Sequence, residues 1–160
     1  MSLLNQKKLL AGAAMATVLL LATVIKVLGG GESAMERGAG LSESQVPSQI
    51  ILWIAENRKV PGYDAFSLGD AVYMVVRLGQ RPTGGYAVYL GEAELDGRTL
   101  YVKVEVVEPR PWDMVSQALT YPTAVAGMRI DGHLPEAVVF LDLHGGVLAR
   151  IPVQALESTE

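Results

Sequence analysis

Residues 99–107 carry the clearest pattern in the chain: Leu100, Val102, Val104 and Val106 fall on one face, and Tyr101, Lys103 and Glu105 on the other. This period of two predicts an antiparallel strand with one wet side. Five further β-type runs are bounded by turn residues, at 71–78, 86–93, 123–130, 136–143 and 147–153. Asp96-Gly97 and His144-Gly145-Gly146 mark hairpins. A helical stripe precedes the strands. Ser48 is placed as its N-cap, Ile50, Ile51, Trp53 and Ile54 form one apolar face, and Glu56 to Lys59 followed by Pro61-Gly62 end it after about three turns. That spacing assigns Trp53 to the core rather than to a partner. No helical run long enough for a parallel crossover separates the strands, so a mainly β fold is expected, an antiparallel sandwich or partly open barrel.

A different pattern opens the chain. Residues 9–25 hold no charge, Lys7 and Lys8 precede them, and Lys26 and the glycines 29–31 follow. Seventeen residues at about 1.5 Å rise reach roughly 25 Å, just enough for a single membrane-spanning helix with snorkelling lysines. The paired lysines place the amino terminus in the cytoplasm and the rest outside it. A cleavable signal segment is the competing reading, with Gly38-Ala39-Gly40 as a small-residue site. Residues 29–47 are rich in Gly, Ser and Glu and read as a tether. The organisation is therefore an anchor or signal segment at 1–28, a flexible linker at 29–47 and a β domain with its preceding helix at 48–156.

Charge and composition remove several function classes. The net charge is −4, and residues 41–160 hold nine Lys and Arg against fifteen Asp and Glu. That argues against nucleic acid as a partner. There is no cysteine, which excludes disulfides, thiolate catalysis and a lipobox. His133 and His144 sit in turn signals with no nucleophile at a recognised spacing. Asp142 and His144 stand two apart across a turn, where a weak chelate and an ordinary exposed histidine are both open. No metal, phosphate-binding or paired-carboxylate motif appears, so neither cofactor nor catalysis is expected.

Two loops carry the recognition signal. In Arg81-Pro82-Thr83-Gly84-Gly85-Tyr86 the proline stiffens the chain, both glycines permit positive φ, Thr83 can bond local backbone, and Tyr86 offers a rigid amphipathic ring. A stiff, protruding loop is expected, with an ordinary turn between neighbouring strands as the alternative. In Glu108-Pro109-Arg110-Pro111-Trp112-Asp113 two prolines stop the preceding strand and display Arg110 and Trp112, residue types enriched at interface hot spots. Trp112 closing the end of the sandwich, with Arg110 in a surface ion pair, is the alternative. Gln117 falls in a short segment read as one helical turn, where a buried amide would bond backbone.

Residues 79–86, Gly-Gln-Arg-Pro-Thr-Gly-Gly-Tyr, resemble the G-x-x-P-T-G-G-Y signature of the PrcB C-terminal domain family of bacterial protease-complex subunits. Gln117-Ala118-Leu119-Thr120-Tyr121-Pro122 matches the family's Gln-x-x-Thr-x-Pro segment in the same order, and the resemblance covers roughly 60–131. It implies a non-catalytic extracytoplasmic module that binds and stabilises a secreted or envelope protease, in the best-known cases of subtilisin type. Arg81 to Tyr86, Arg110, Pro111, Trp112, Gln117, Thr120 and Pro122 are then the partner-binding residues. The absence of a lipobox cysteine and the added C-terminal hairpin depart from the family pattern. A fainter likeness links the same loops to chagasin-type protease inhibitors, which are immunoglobulin-like sandwiches. A loop-based inhibitor and a cell-envelope structural domain without a protease partner are the alternative functions.

Overall fold

The structure, a computed structural model, describes residues 22–23 and 46–157. The elements are β1 (Ala22–Thr23), α1 (Ser48–Asn57), β2 (Gly62–Leu68), β3 (Ala71–Arg77), β4 (Ala87–Asp96) and β5 (Thr99–Val107). They continue with β6 (Thr123–Arg129), β7 (Ala137–Leu141), β8 (Val147–Pro152) and β9 (Gln154–Ala155). Two sheets form, one ordered β1-β6-β3-β2-β9 and the other β4-β5-β7-β8. The predicted strands and both hairpins are present, and Gly97 and Gly145 take the positive φ that the hairpin turns require.

The two sheets face one another across a single apolar layer. Val72, Met74, Val76, Ala124 and Ala126 from the first sheet meet Leu90, Leu100, Val102, Val104 and Phe140 from the second. The alternation of β5 is realised up to Val104, whereas Val106, opposite the buried Val88, is exposed where β7 no longer flanks the strand. On the outer face of the first sheet, α1 seats Ile50 and Ile54 on Phe66, Val75 and Val125. Strand β3 is thus covered on both sides, which is why residues 71–78 read as a nearly continuous apolar run. Trp53 packs edge-on to Phe66, with ring centroids 4.9 Å apart, and belongs to this second layer, as its helical spacing indicates.

Several expectations need correction. The sheets are mixed: β5 and β7 pair in parallel, as do β2 and β9. No helix is needed for the first of these, because the chain leaves β5, passes through β6 in the opposite sheet and returns as β7. The sheets do not close into a barrel. The strand at 62–68, whose tyrosine and aspartate interrupt any clean alternation, is missed by the sequence pattern. Ser48 is the first helical residue, and Pro47, extended at φ −54° and ψ 137°, is the N-cap without a side-chain hydrogen bond. Most of the apolar run at 9–25, and the linker up to residue 45, lie outside the described residues. Of that run, Ala22 and Thr23 are extended rather than helical and pair antiparallel with β6. Among the described residues no helix is long and apolar enough to cross a membrane.

Arg77, at the end of β3, is buried and fixes α1 to the sheet. Its guanidinium donates to the Asn57 and Val60 carbonyls at 2.6 and 2.7 Å and to Asp64 Oδ2 at 2.7 and 3.3 Å. It also lies 4.7 Å from the Trp53 ring centroid. Without it the Asp64 carboxylate would lose its counter-charge and the Val60 carbonyl its side-chain donor, whereas the Asn57 carbonyl also accepts the Val60 amide at 3.2 Å. Arg77→Ala should therefore destabilise the domain by about 3–5 kcal/mol. Val104→Ala should cost about 2 kcal/mol or more through cavity formation, and Lys103→Ala, which loses only an exposed pair with Glu92, less than about 1 kcal/mol. Urea unfolding of the three variants measures all three effects, and equal losses at Val104 and Lys103 would mean that the register of β5 is wrong.

Candidate functional site

The antiparallel ladder of β3 and β6 does not stop at Arg77 and Thr123. Leu78 N–H donates to the Pro122 carbonyl at 2.9 Å, Arg81 and Thr120 exchange bonds of 2.8 and 3.0 Å, and Gly84 N–H donates to the Ser116 carbonyl at 2.8 Å. Pairing resumes in the second sheet at Ala87 and Val107. The chain therefore crosses from one sheet to the other twice, at 78–86 and 108–122, and the two crossings run side by side as one bent ribbon. Between the Gly84–Ser116 bond and the Ala87–Val107 pair, one side uses residues 85–86 and the other 108–115. The surplus is thrown outward as a turn.

That turn is closed on itself. Asp113 N–H donates to the Arg110 carbonyl at 2.9 Å, Arg110 N–H donates to Asp113 Oδ2 at 2.8 Å, and Arg110 Nε lies 3.4 Å from Asp113 Oδ1. Both readings of Arg110 are thus partly realised: it makes a surface ion pair, and its guanidinium lies 5.7 Å from the Trp112 ring centroid. Trp112 does not close the sandwich. It is 74% exposed, Pro111 beside it is exposed, and Met114 projects fully into solvent. The unfavourable hydration of an exposed indole makes this turn the most conspicuous apolar feature of the ribbon.

The glycine-rich crossing is seamed to its neighbour and does not protrude freely. Positive φ occurs at Gly85, at +84°, and not at Gly84. A Cβ on Gly85 would stand 2.7 Å from Val115 Cγ1 and 2.9 Å from Pro109 Cβ, and one on Gly84 would stand 2.7 Å from Ser116 Oγ. Both glycines thus permit close approach, and only one also needs the left-handed backbone. The Thr83 interaction is the reverse of the expected one, since the Thr120 hydroxyl donates to the Thr83 carbonyl at 2.8 Å across the ribbon. Tyr86 packs against the main core, with the Arg81 guanidinium 5.2 Å from its ring centroid. Arg81 Nε is buried without a hydrogen-bond partner among the described residues. Pro82 is exposed. Gln117 is exposed and lies in no helix or strand, and its amide reaches the Val115 carbonyl at 3.4 Å.

The residues singled out from sequence are therefore gathered into one ribbon, but they divide by task. Thr83, Gly84, Gly85, Thr120 and Pro122 hold the crossings together, whereas Pro82, Pro111 and Trp112 face solvent. Met114 and Leu119, both exposed, were not singled out from the sequence, where an isolated large apolar residue in an irregular stretch looks like core.

Neither histidine meets a catalytic partner. Both are exposed in turns. Asp142 Oδ1 accepts the amides of His144 and Gly146 at 2.8 and 2.7 Å, and these bonds, that of Gly146 foremost, hold its carboxyl below the usual value. Asp142 is thus committed to shaping the β7–β8 turn. Among the described residues no cluster of three or more His, Asp or Glu could hold a metal ion.

If the seam fixes the ribbon, Gly85→Ala should destabilise the domain by about 1–3 kcal/mol through strained backbone and collision with Pro109. Thr120→Val should cost about 1 kcal/mol for the lost hydroxyl bond, and Pro82→Ala close to nothing. Thermal and urea unfolding read these differences, and a neutral Gly85→Ala would contradict the packing of the crossings.

No curated protein and no solved structure gives a significant match to the chain. Residues 72–129, which run from β3 through both crossings to β6, match the family model described as PrcB C-terminal, the family whose signature the glycine-rich crossing resembles.

Proposed function

We propose that this chain is a non-catalytic accessory subunit of an extracytoplasmic protease complex, held at the membrane by residues 1–28 and contacting the protease through the ribbon turn. The observation that carries the reading is the display of Trp112, 74% exposed on a turn whose backbone is closed by the bonds between Arg110 and Asp113. A large ring held on a rigid turn loses little conformational freedom on binding, which is the property of a hot-spot anchor. The match of the PrcB C-terminal model to the whole ribbon supports the protease connection. The uncharged run at 9–25 between lysines supports the membrane attachment, while the pairing of Ala22 and Thr23 with β6 opposes one helix through the whole run.

Attachment is checked with a reporter fused after residue 44, which should be active only outside the cytoplasm. A soluble form of the protein beginning near residue 41 would replace the anchor by a cleaved signal segment.

Function is checked with the purified cognate protease. Added domain should lengthen the protease's lifetime against heat or autolysis while leaving its initial rate unchanged. Trp112→Ala should weaken binding by about 2 kcal/mol or more at unchanged Tm. Competitive loss of protease activity would identify an inhibitor instead.

A further inference from the structure

The ribbon turn is one part of a larger exposed apolar end. The loop after α1 reaches the same end, because Arg77 at the end of β3 is bonded to Asn57 and Val60, and Gln80 N–H donates to the Lys59 carbonyl at 3.2 Å. The turn joining β7 to β8 lies on the same side, since β7 runs parallel to β5 and its Phe140 meets Tyr63 near the start of β2, with ring centroids 5.0 Å apart, although β7 stops opposite Lys103, short of the end of β5. Val60, Trp112, Met114, Leu119, Leu143 and Val147, from three separate segments, are all exposed there, each by more than half. At the opposite end the hairpin turns carry Asp70, Asp96 and Asp131 and little exposed apolar surface beyond Leu95.

Charge at this end is mixed: Glu108 stands exposed in the ribbon, and Asp113 and Asp142 are bonded within their own turns. Arg58, Lys59 and Arg81 flank the apolar end, and none of them makes an ion pair among the described residues. Arg58 and Arg81 instead rest on the rings of Tyr121 and Tyr86, at 4.8 and 5.2 Å. Cations held over rings, in a chain that is acidic overall, are poised to meet carboxylates.

We infer that this whole end is one composite docking face, built from the α1–β2 loop, the ribbon and the β7–β8 turn, and that it takes a folded protein whose surface is apolar and edged with carboxylates. The inference rests on the accessory-subunit reading, in that it assumes a protein partner, but it commits to a wider footprint and to the partner's charge.

The test is photo-crosslinking in the full chain, in the membranes of its own host, with benzoylphenylalanine placed in turn at Val60, Met114, Val147 and, as the far-end control, Leu95. One and the same protein should be captured from the first three positions and not from Leu95. Lys59→Glu and Arg58→Glu should each weaken binding of that purified protein at least threefold, with a shallower dependence on salt and an unchanged Tm. Lys59 is the cleaner position, its side chain being exposed in solvent. Capture from Met114 alone would confine the contact to the ribbon turn and overturn the composite face. Capture of lipid or of a second copy of this chain, or indifference to both charge reversals, would overturn the assigned partner. A captured protein that is not a protease, with the three-position pattern intact, would support the face and remove the protease function.

Discussion

The fold depends on one hydrogen-bonded ladder that does not end where its sheet ends. Strands β3 and β6 belong to one layer and β4 and β5 to the other, yet the bonds at Leu78, Arg81 and Gly84 carry the pairing across the gap between them. A sandwich must connect its layers somewhere, and each connection exposes backbone groups that no longer have a sheet partner. Here the two connections satisfy one another. Side-by-side passage is possible only because Gly84 and Gly85 carry no Cβ toward Ser116, Val115 and Pro109. The same demand accounts for the position of the sequence signature: Pro-Thr-Gly-Gly-Tyr occupies the crossing itself, not a free loop.

Arg77 closes the other side of that corner. One guanidinium serves the helix-end carbonyl of Asn57, the loop carbonyl of Val60, one carboxylate and one indole face, so α1, β2 and β3 meet at a single buried group. A planar five-donor fork suits four partners in different directions, which the point charge of a lysine does not. Because Arg77 directly precedes the crossing at 78–86, the helix layer and the ribbon are mechanically joined. Burying a charge in this way brings little net stability, but it fixes which surfaces come together.

Much of this was legible in the sequence, and the parts that were not share a physical reason. Alternation in 99–107, Asp96-Gly97 and the helical spacing of Trp53 are local signals, and each was realised. The parallel pairing of β5 with β7, and that of β2 with β9, is set by the path of the chain between layers, which no local period records. Strand β2 escaped because Asp64 on its outer face pairs with Arg77, and a polar residue satisfied by a distant partner looks like a loop residue in isolation. The site residues were found as a group, on the strength of their residue types and family resemblance. Their division into seam and display could not be found that way. Thr120 and Thr83, thirty-seven residues apart, reveal their relation only when the crossings are brought together.

The register of the ribbon links this architecture to recognition. Pairing is fixed on either side of residues 108–115, so that segment can project without disturbing the strands that hold it. Its length sets how far the turn stands out, and Pro111, Trp112 and Met114 are free of the packing demands that hold Pro109 and Val115 against Gly85. A rigid frame with a short, locally closed excursion is the arrangement in which binding residues change while the fold stays constant. Beside Glu108, Arg110, Ser116 and Gln117, the ribbon's exposed side chains include an indole, a thioether, a leucine and prolines. Such groups exclude water from a contact and fill pockets on a partner. The surface thus offers apolar area, and its place on the molecule is set by where the ladder lets the chain depart from the sheet.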